Sequence, residues 1–361
     1  MKMNKKKLCA AVLATVLSFS VAAGLNESEA ATRAEMSKIT VNRQGSNFIY
    51  WNEQSNAFKQ LTGYVRDVTN PMSKNYIPVK DRIAVFDFDG TLLCETTPSY
   101  FEWMMHLKRA LHDPNYTPSA QDKEDALQVQ KAVESIGVPV PTSNQAQAQA
   151  SVFSGMDLDE FDNYVKDFME TPAEGLTNLK RGESFYLPMV EVVSYLTNNR
   201  FKVFVVSGSD RQAVRVICED VLPIDSDNII GTDIKYLAAE QGDTDGLKYI
   251  YEKKDKVIRG KFVMKDLQMN KVSNIMREIG KQPVLAFGNS TSDSSMLNHA
   301  IYNNKYRAMA FGIICDDQVR ELGNPKTAEK MTKACEKYGW VTISMRNDWK
   351  TIYGDYVKRS K

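Results

Sequence analysis

The chain has 361 residues, 43% hydrophobic and 25% charged, with a formal net charge of +1. Those proportions describe a globular chain with one large domain or two modest ones, and a balance this near neutral gives no reason to expect nucleic acid or an anionic membrane as partner. At the N-terminus, MKMNKKKLCAAVLATVLSFSVAAGLNESEAA joins a lysine-rich head to an apolar stretch from Leu8 to Gly24 and small residues near Ala23 and Ala30. That order is expected of a signal peptide over residues 1–30, which would export the mature chain to the periplasm or the exterior of a bacterial cell. Ser and Ala dilute the apolar stretch to a borderline membrane span, so a retained anchor is the less favoured reading, and no later segment is long and apolar enough to hold the chain in a membrane after cleavage. Cleavage also removes Cys9 and leaves Cys94, Cys218, Cys315 and Cys335, an even count that fits a Cys315–Cys335 disulfide and fits buried free thiols equally well.

Residues 31–80 are polar apart from an amphipathic stretch at Phe58 to Val68, and read as an N-terminal arm lying on the main domain. The run Ile83-Ala84-Val85-Phe86 then predicts a buried parallel strand, followed at once by Asp87-Phe88-Asp89-Gly90-Thr91. Residues 98–183 lack an apolar β run and carry helical periods at Tyr100 to Leu111, Lys123 to Ile136 and Leu158 to Met169, with 137–151 expected to loop or fray. A helical cap inserted after the first strand is the consequence. From residue 184 a strand-helix rhythm resumes, with a helix near Met189 to Asn198, a strand Lys202 to Val206, a turn Ser207-Gly208-Ser209 and a helix from Asp210. Short β-like pieces at Asn228 to Ile234, Leu247 to Tyr251 and Lys261 to Val263 follow, then a helix from about Asn270, strands ending at Phe287 and Ile313, and a helical tail. The expected fold class is α/β, a Rossmann-like doubly wound parallel sheet formed by 81–97 and 184–361, capped by 98–183.

Ligand sites in such sheets lie at the carboxyl ends of the strands. Residues i and i+2 of a strand point the same way, so Asp87 and Asp89 emerge together there, and two carboxylates so placed need a cation or a proton between them. Ser207, Gly208 and Ser209 end the next strand beside a helix N-terminus, where hydroxyl and backbone N–H groups suit phosphate oxygens. Lys271 begins a helix whose N-terminus faces the same sheet edge, and is preferred to Lys265 as the cation of the group. Asn289 and Asp293 follow the strand after that helix. Carboxylates, an amide oxygen, a hydroxyl and an ammonium group together make a place for Mg²⁺ and a phosphoryl group. With only His106, His112 and His299 in the chain, a Cys/His nucleophile or a histidine-rich metal site is not expected.

The order DFDGT, VVSGS, a lysine and then GNSTSD resembles the four motifs of the haloacid dehalogenase (HAD) superfamily of aspartate-nucleophile phosphatases, over roughly residues 81–345. The helical cap after the first motif is similar to that of its phosphoserine phosphatase and phosphorylcholine phosphatase branches, and YVRDVTNP through DFDGTLLCE is similar to exported bacterial members. The resemblance implies a Mg²⁺-dependent phosphomonoesterase for a small-molecule phosphate ester. Asp87 is then the nucleophile that forms an aspartyl phosphate, and Asp89 the acid and base. Asp87 and Asp89 bind the metal, the latter by its carbonyl, Thr91 holds the loop after the nucleophile, and Ser207, Gly208 and Lys271 take phosphate. Asn289 stands where aspartate is commoner, so either Asn289 or Asp293 completes the metal shell. Glu95, Tyr100 and Trp103 set a carboxylate beside aromatic rings, which suits an ammonium group such as that of phosphoserine or phosphorylcholine, while aromatics at this spacing also read as core. Arg211 either adds charge near the phosphate or decorates a helix. A phosphotransferase on the same fold and a catalytically weak phosphate-ester binding protein remain as alternatives, and the oligomeric state is left open.

Overall fold

The run Ile83–Phe86 is buried at all four positions, and its side chains divide between the two faces of a sheet. Ala84 and Phe86 join one apolar cluster, Ile83 and Val85 the other, as period-two alternation in a strand covered on both faces requires. This is strand β1 in a computed structural model that describes residues 30–134 and 142–360. Before it come α1 (Arg33–Met36) and α2 (Asn56–Thr69). Between β1 and the second strand lie α3 (Phe101–Leu107), which continues as a π-helical turn, then α4 (Ala120–Glu134), α5 (Thr142–Val152), α6 (Leu158–Met169) and α7 (Leu187–Asn198). Next are β2 (Lys202–Asp210), α8 (Arg211–Cys218), β3 (Ile229–Ala238), β4 (Val257–Met264), α9 (Met269–Glu278) and β5 (Leu285–Gly288). The chain finishes with α10 (Ser294–Ile301), β6 (Met309–Ile314), α11 (Pro325–Tyr338), β7 (Val341–Ser344) and α12 (Met345–Asp348).

The seven strands lie in the order β4-β3-β2-β1-β5-β6-β7. All pair in parallel except β3 with β4, which form an antiparallel flap at one edge. The sheet grows from β1 to β2 on one side and to β5 on the other, so its topological switch point falls at the carboxyl end of β1. Stacked rings tie that region together: Phe86 lies 4.3 Å from Phe287, and Phe287 4.9 Å from Phe311, across β1, β5 and β6. On the arm, α2 buries Phe58, Leu61, Tyr64, Val65 and Val68, and the Tyr64 hydroxyl donates to the carbonyls of Val284 and Arg307 at the entries of β5 and β6.

Several local expectations differ from the structure. Residues 142–152 form a helix where a frayed loop was expected, because Ala and Gln carry strong helix propensity and outweigh the Pro-containing stretch before them; 137–141 lie outside the described residues. Leu247 to Tyr251 is turn and irregular chain rather than strand, with Leu247 and Ile250 exposed and so without the packing that sustains a strand. β2 runs on to Asp210, so Ser207 to Ser209 are extended, and Asp210 caps α8 through the amides of Gln212 and Ala213. The thiols of Cys94, Cys218, Cys315 and Cys335 are all unpaired, which excludes the Cys315–Cys335 disulfide in this structure. The predicted signal peptide lies almost wholly outside the described residues, which begin at Ala30.

Candidate active site

β1 delivers Asp87 to the sheet edge with its amide held by the Phe287 carbonyl at 2.9 Å. The chain then turns: the Phe88 carbonyl accepts from the amides of Thr91, Leu92 and Leu93, and Gly90 takes φ +76°. Asp87 and Asp89 are both buried and both line one cavity of about 260 Å³. The Ser209 hydroxyl donates to Asp89 Oδ2 at 2.6 Å, while Asp89 Oδ1 is buried with no hydrogen-bond partner. Burial pushes the Asp89 carboxyl up to about 6. Burial and the charge of Asp293 likewise raise Asp87 above the usual carboxylate range, against the pull of Lys271.

Lys271, in the first turn of α9, is fully buried, and its ammonium bridges Asp87 Oδ1 at 2.5 Å and Asp293 Oδ1 at 2.6 Å. The other Asp293 oxygen accepts the amides of Asn289 and Ser290 at 3.2 and 3.1 Å. Asp293 is therefore fully engaged behind the cavity. Asn289 faces the cavity, with Nδ2 donating to Glu95 Oε1 at 2.8 Å and Oδ1 3.4 Å from Thr91 Oγ1. Thr91 Oγ1 also lies 3.5 Å from Asp87 Oδ2, at the limit of a hydrogen bond. Burial, then the charges of Asp89 and Asp87, push Glu95 well above its usual range.

The remaining expected residues divide. Gly208 lines the cavity, whereas the fully buried Ser207 Oγ accepts the Ser209 amide at 3.0 Å. Tyr100 and Trp103 line the cavity next to Glu95, their rings 5.1 Å apart and edge-on. Arg211 is turned away and pairs with Glu278 at 2.6 Å and Asp233 at 2.9 Å. Lys265, the second choice of lysine, lines the cavity and donates to Glu102 Oε1 at 2.8 Å and to Gln145 Oε1 at 3.3 Å. Glu102 and Gln145 were not foreseen, and neither was the side-chain bond from Ser209 to Asp89. Glu102 sits on α3 and also accepts the Asp210 amide at 2.9 Å, a junction between segments 108 residues apart for which no local sequence signal exists.

A doubly wound sheet that gathers buried carboxylates, a lysine and hydroxyls in a cavity at its switch point is the scaffold of an α/β enzyme. The model for haloacid dehalogenase-like hydrolases matches residues 84–298, and the chain belongs to that family. Among solved structures, a conserved protein of unknown function from Anaerococcus prevotii is similar at TM-score 0.51 and 12% identity, over 82% of this chain and 93% of that one. Cytosolic 5′-nucleotidase IIIB bound to cytidine gives TM-score 0.46 and 12% identity over 81% and 86% of the two chains. A phosphoserine phosphohydrolase-like protein from Francisella tularensis gives 0.36 and 16% over 64% and 87%. At 12% identity the first of these likenesses speaks to fold alone. No curated protein matches the chain in sequence.

Proposed function

We propose that this chain is an exported Mg²⁺-dependent phosphomonoesterase that cleaves a small, amine-bearing phosphate ester through an aspartyl-phosphate intermediate. The observation that carries the reading is the pair at the end of β1: Asp87 held against a buried ammonium at 2.5 Å, and Asp89 in the same cavity with one oxygen unpartnered. A carboxylate oxygen of Asp87 attacks phosphorus and the ester P–O bond breaks, the departing oxygen taking its proton from Asp89. Water then attacks the phosphorus of the aspartyl phosphate and gives a proton to Asp89. The bond from phosphorus to the Asp87 oxygen breaks, which releases inorganic phosphate and restores both groups. A pKa raised toward neutrality suits a group that must hold a proton and then accept one.

The donor set fits a hard cation. Asp87, Asp89 and Glu95 all lie high because burial removes water from carboxylates that lack enough positive charge nearby. Among the described residues no group of three or more histidine, cysteine or carboxylate side chains forms a metal site, so Mg²⁺ would rest on the Asp87 carboxylate, the Asp89 carbonyl and Asn289 Oδ1, with water in its other positions. Asp293, both of whose oxygens are engaged, would hold Lys271 and the Asn289 loop in place. The ion would neutralise phosphate charge while Lys271 and Asp87 keep their contact. An amine on the leaving group is favoured by the lining, which carries Asp87, Asp89, Glu95 and Glu102 against one lysine, itself paired. Export rests on the lysine-rich, apolar N-terminus, and fractionation of cells expressing the full chain tests it.

The decisive experiment measures phosphate release by the mature chain from an aryl phosphate, phosphoserine and phosphorylcholine, with and without chelator. Turnover that needs Mg²⁺ and vanishes in Asp87→Asn is expected. Turnover surviving in Asp87→Asn, or indifferent to chelator, refutes the mechanism. Transfer to an added alcohol instead of water marks a phosphotransferase, and ester binding without turnover marks a binding protein.

A further inference from the structure

A carboxamide can face a cation with one end only. Its oxygen is an acceptor and its NH₂ group a donor, so an asparagine near a metal site helps or hinders according to which way it is flipped. At Asn289 the shorter of the two contacts that orient the amide is to Glu95: Nδ2 donates to Glu95 Oε1 at 2.8 Å, against 3.4 Å from Thr91 Oγ1 to Oδ1. Oδ1 is thereby directed to the opposite side, where it lies 3.4 Å from Thr91 Oγ1, the hydroxyl that also stands 3.5 Å from Asp87 Oδ2. Released from Glu95, the amide could turn Nδ2 toward the Asp87 carboxylate, a favourable hydrogen bond that would put a donor where the cation belongs.

We propose that Glu95 is a positioning residue that holds the Asn289 amide with its oxygen toward Asp87 and so makes an uncharged side chain a competent Mg²⁺ ligand. The inference rests on the Mg²⁺ reading given above and adds a role for Glu95 that recognition of the substrate does not require. Two features of the fold serve this bridge. A Cβ on Gly90 would lie 1.9 Å from Asn289 Nδ2 and 2.6 Å from Glu95 Cδ, so the bridge crosses a position that only glycine leaves open, at a φ of +76° that glycine adopts without strain. The two neighbours of Glu95 are anchored to a second buried carboxylate that the chemistry does not use. Glu321 Oε1 accepts from Thr96 Oγ1 at 2.5 Å, both its oxygens lie 3.8 Å from Cys94 Sγ, and its Oε2 accepts from the Tyr353 hydroxyl. Cys94 and Thr96 flank Glu95, so the main chain at residue 95 is held from both sides while its side chain reaches Asn289.

The bond needs an acceptor oxygen at the right reach, not a charge, and this separates the proposal from a simple electrostatic role. Glu95→Gln keeps the reach and an acceptor but loses the charge; Glu95→Asp keeps the charge and loses the reach. Titration of MgCl₂ into chelator-treated wild type, Glu95→Gln, Glu95→Asp and Glu95→Ala by calorimetry reads the metal directly, with thermal melts as a check of folding. Glu95→Ala and Glu95→Asp are expected to weaken Mg²⁺ binding about 10–100-fold, as loss of an outer partner of a metal ligand does, and Glu95→Gln to stay within about 3-fold of wild type. Equal affinities in all four proteins, or Glu95→Asp binding more tightly than Glu95→Gln, overturn the proposal. Should Glu95→Ala fail to fold, the order of Glu95→Gln and Glu95→Asp still decides it. Wild type that binds no Mg²⁺ is a different result: it refutes the metal-dependent function itself, and the positioning role with it.

Discussion

Replacing Lys271 with Met keeps a stem of similar length and deletes one positive charge that is itself fully buried. The ammonium touches Asp87 at 2.5 Å and Asp293 at 2.6 Å. Without it, the buried pair must take up one proton more in the folded state than it holds in wild type, a proton that neither carboxyl holds when unfolded. From the ordinary aspartate value of 3.8, holding that proton at pH 7 costs about 4 kcal/mol, at 1.36 kcal/mol per pH unit. An independent route agrees, since removing one partner from a buried ion pair costs about 3–5 kcal/mol. The sign of the pH dependence follows: a carboxyl whose folded pKa is raised is stabilising below its unfolded value and loses that contribution as pH rises toward the folded one. The deficit of Lys271→Met should therefore shrink to about 1.5 kcal/mol at pH 5. Urea denaturation of chelator-treated wild type and variant at both pH values measures it. A loss below about 1 kcal/mol at pH 7, or an equal loss at pH 5 and 7, would refute the claim that Lys271 supplies the charge that offsets these buried carboxyls.

Two further outcomes follow from the site and the core. Asp89→Asn should form the phosphoenzyme slowly and then retain it, so acid-quenched protein incubated with a labelled substrate should carry label that wild type does not accumulate; rapid steady turnover in this variant counts against Asp89 as acid and base. Away from the site, Glu191 on α7 is buried and accepts the amides of Ile49 and Tyr50 at 2.6 and 3.1 Å, and burial lifts its carboxyl to about 7 from 4.5. Because that folded value is raised, wild type should lose about 2–3 kcal/mol from this group between pH 5 and 8. Glu191→Gln should lack that component, and denaturation curves whose pH dependence matches wild type would show that Glu191 is not the titrating group.

Asp87 and Asp89 were legible because they directly follow a buried apolar run, but β1 ends at Phe86, and the turn closed on the Phe88 carbonyl, not strand alternation, brings both into one cavity. Gly90, needed at positive φ beside them, is legible for the same reason. The switch from a parallel strand to helical periods and back likewise placed most elements of the sheet and of the segment between β1 and β2. Where local rules compete, they do not settle the element: Gln and Ala between 142 and 152 favour helix by propensity, yet the prolines before them point to loop. Arg211 and Lys265 illustrate a different limit. Both precede or begin helices near the site, and only the packing sends Arg211 out to Glu278 and Asp233 and brings Lys265 in to Glu102 and Gln145.

By itself, then, the sequence determined which residue types stand at the ends of β1, β2 and β5, since they end or directly follow an apolar run. Which of them touch was decided by the tertiary structure alone. The contacts of Lys271 with Asp87, of Ser209 with Asp89 and of Asn289 with Glu95 join residues 184, 120 and 194 positions apart. Their geometry depends on how the sheet twists and where each loop is anchored, and hydrogen bonds reward distances and angles that no periodicity along the chain encodes.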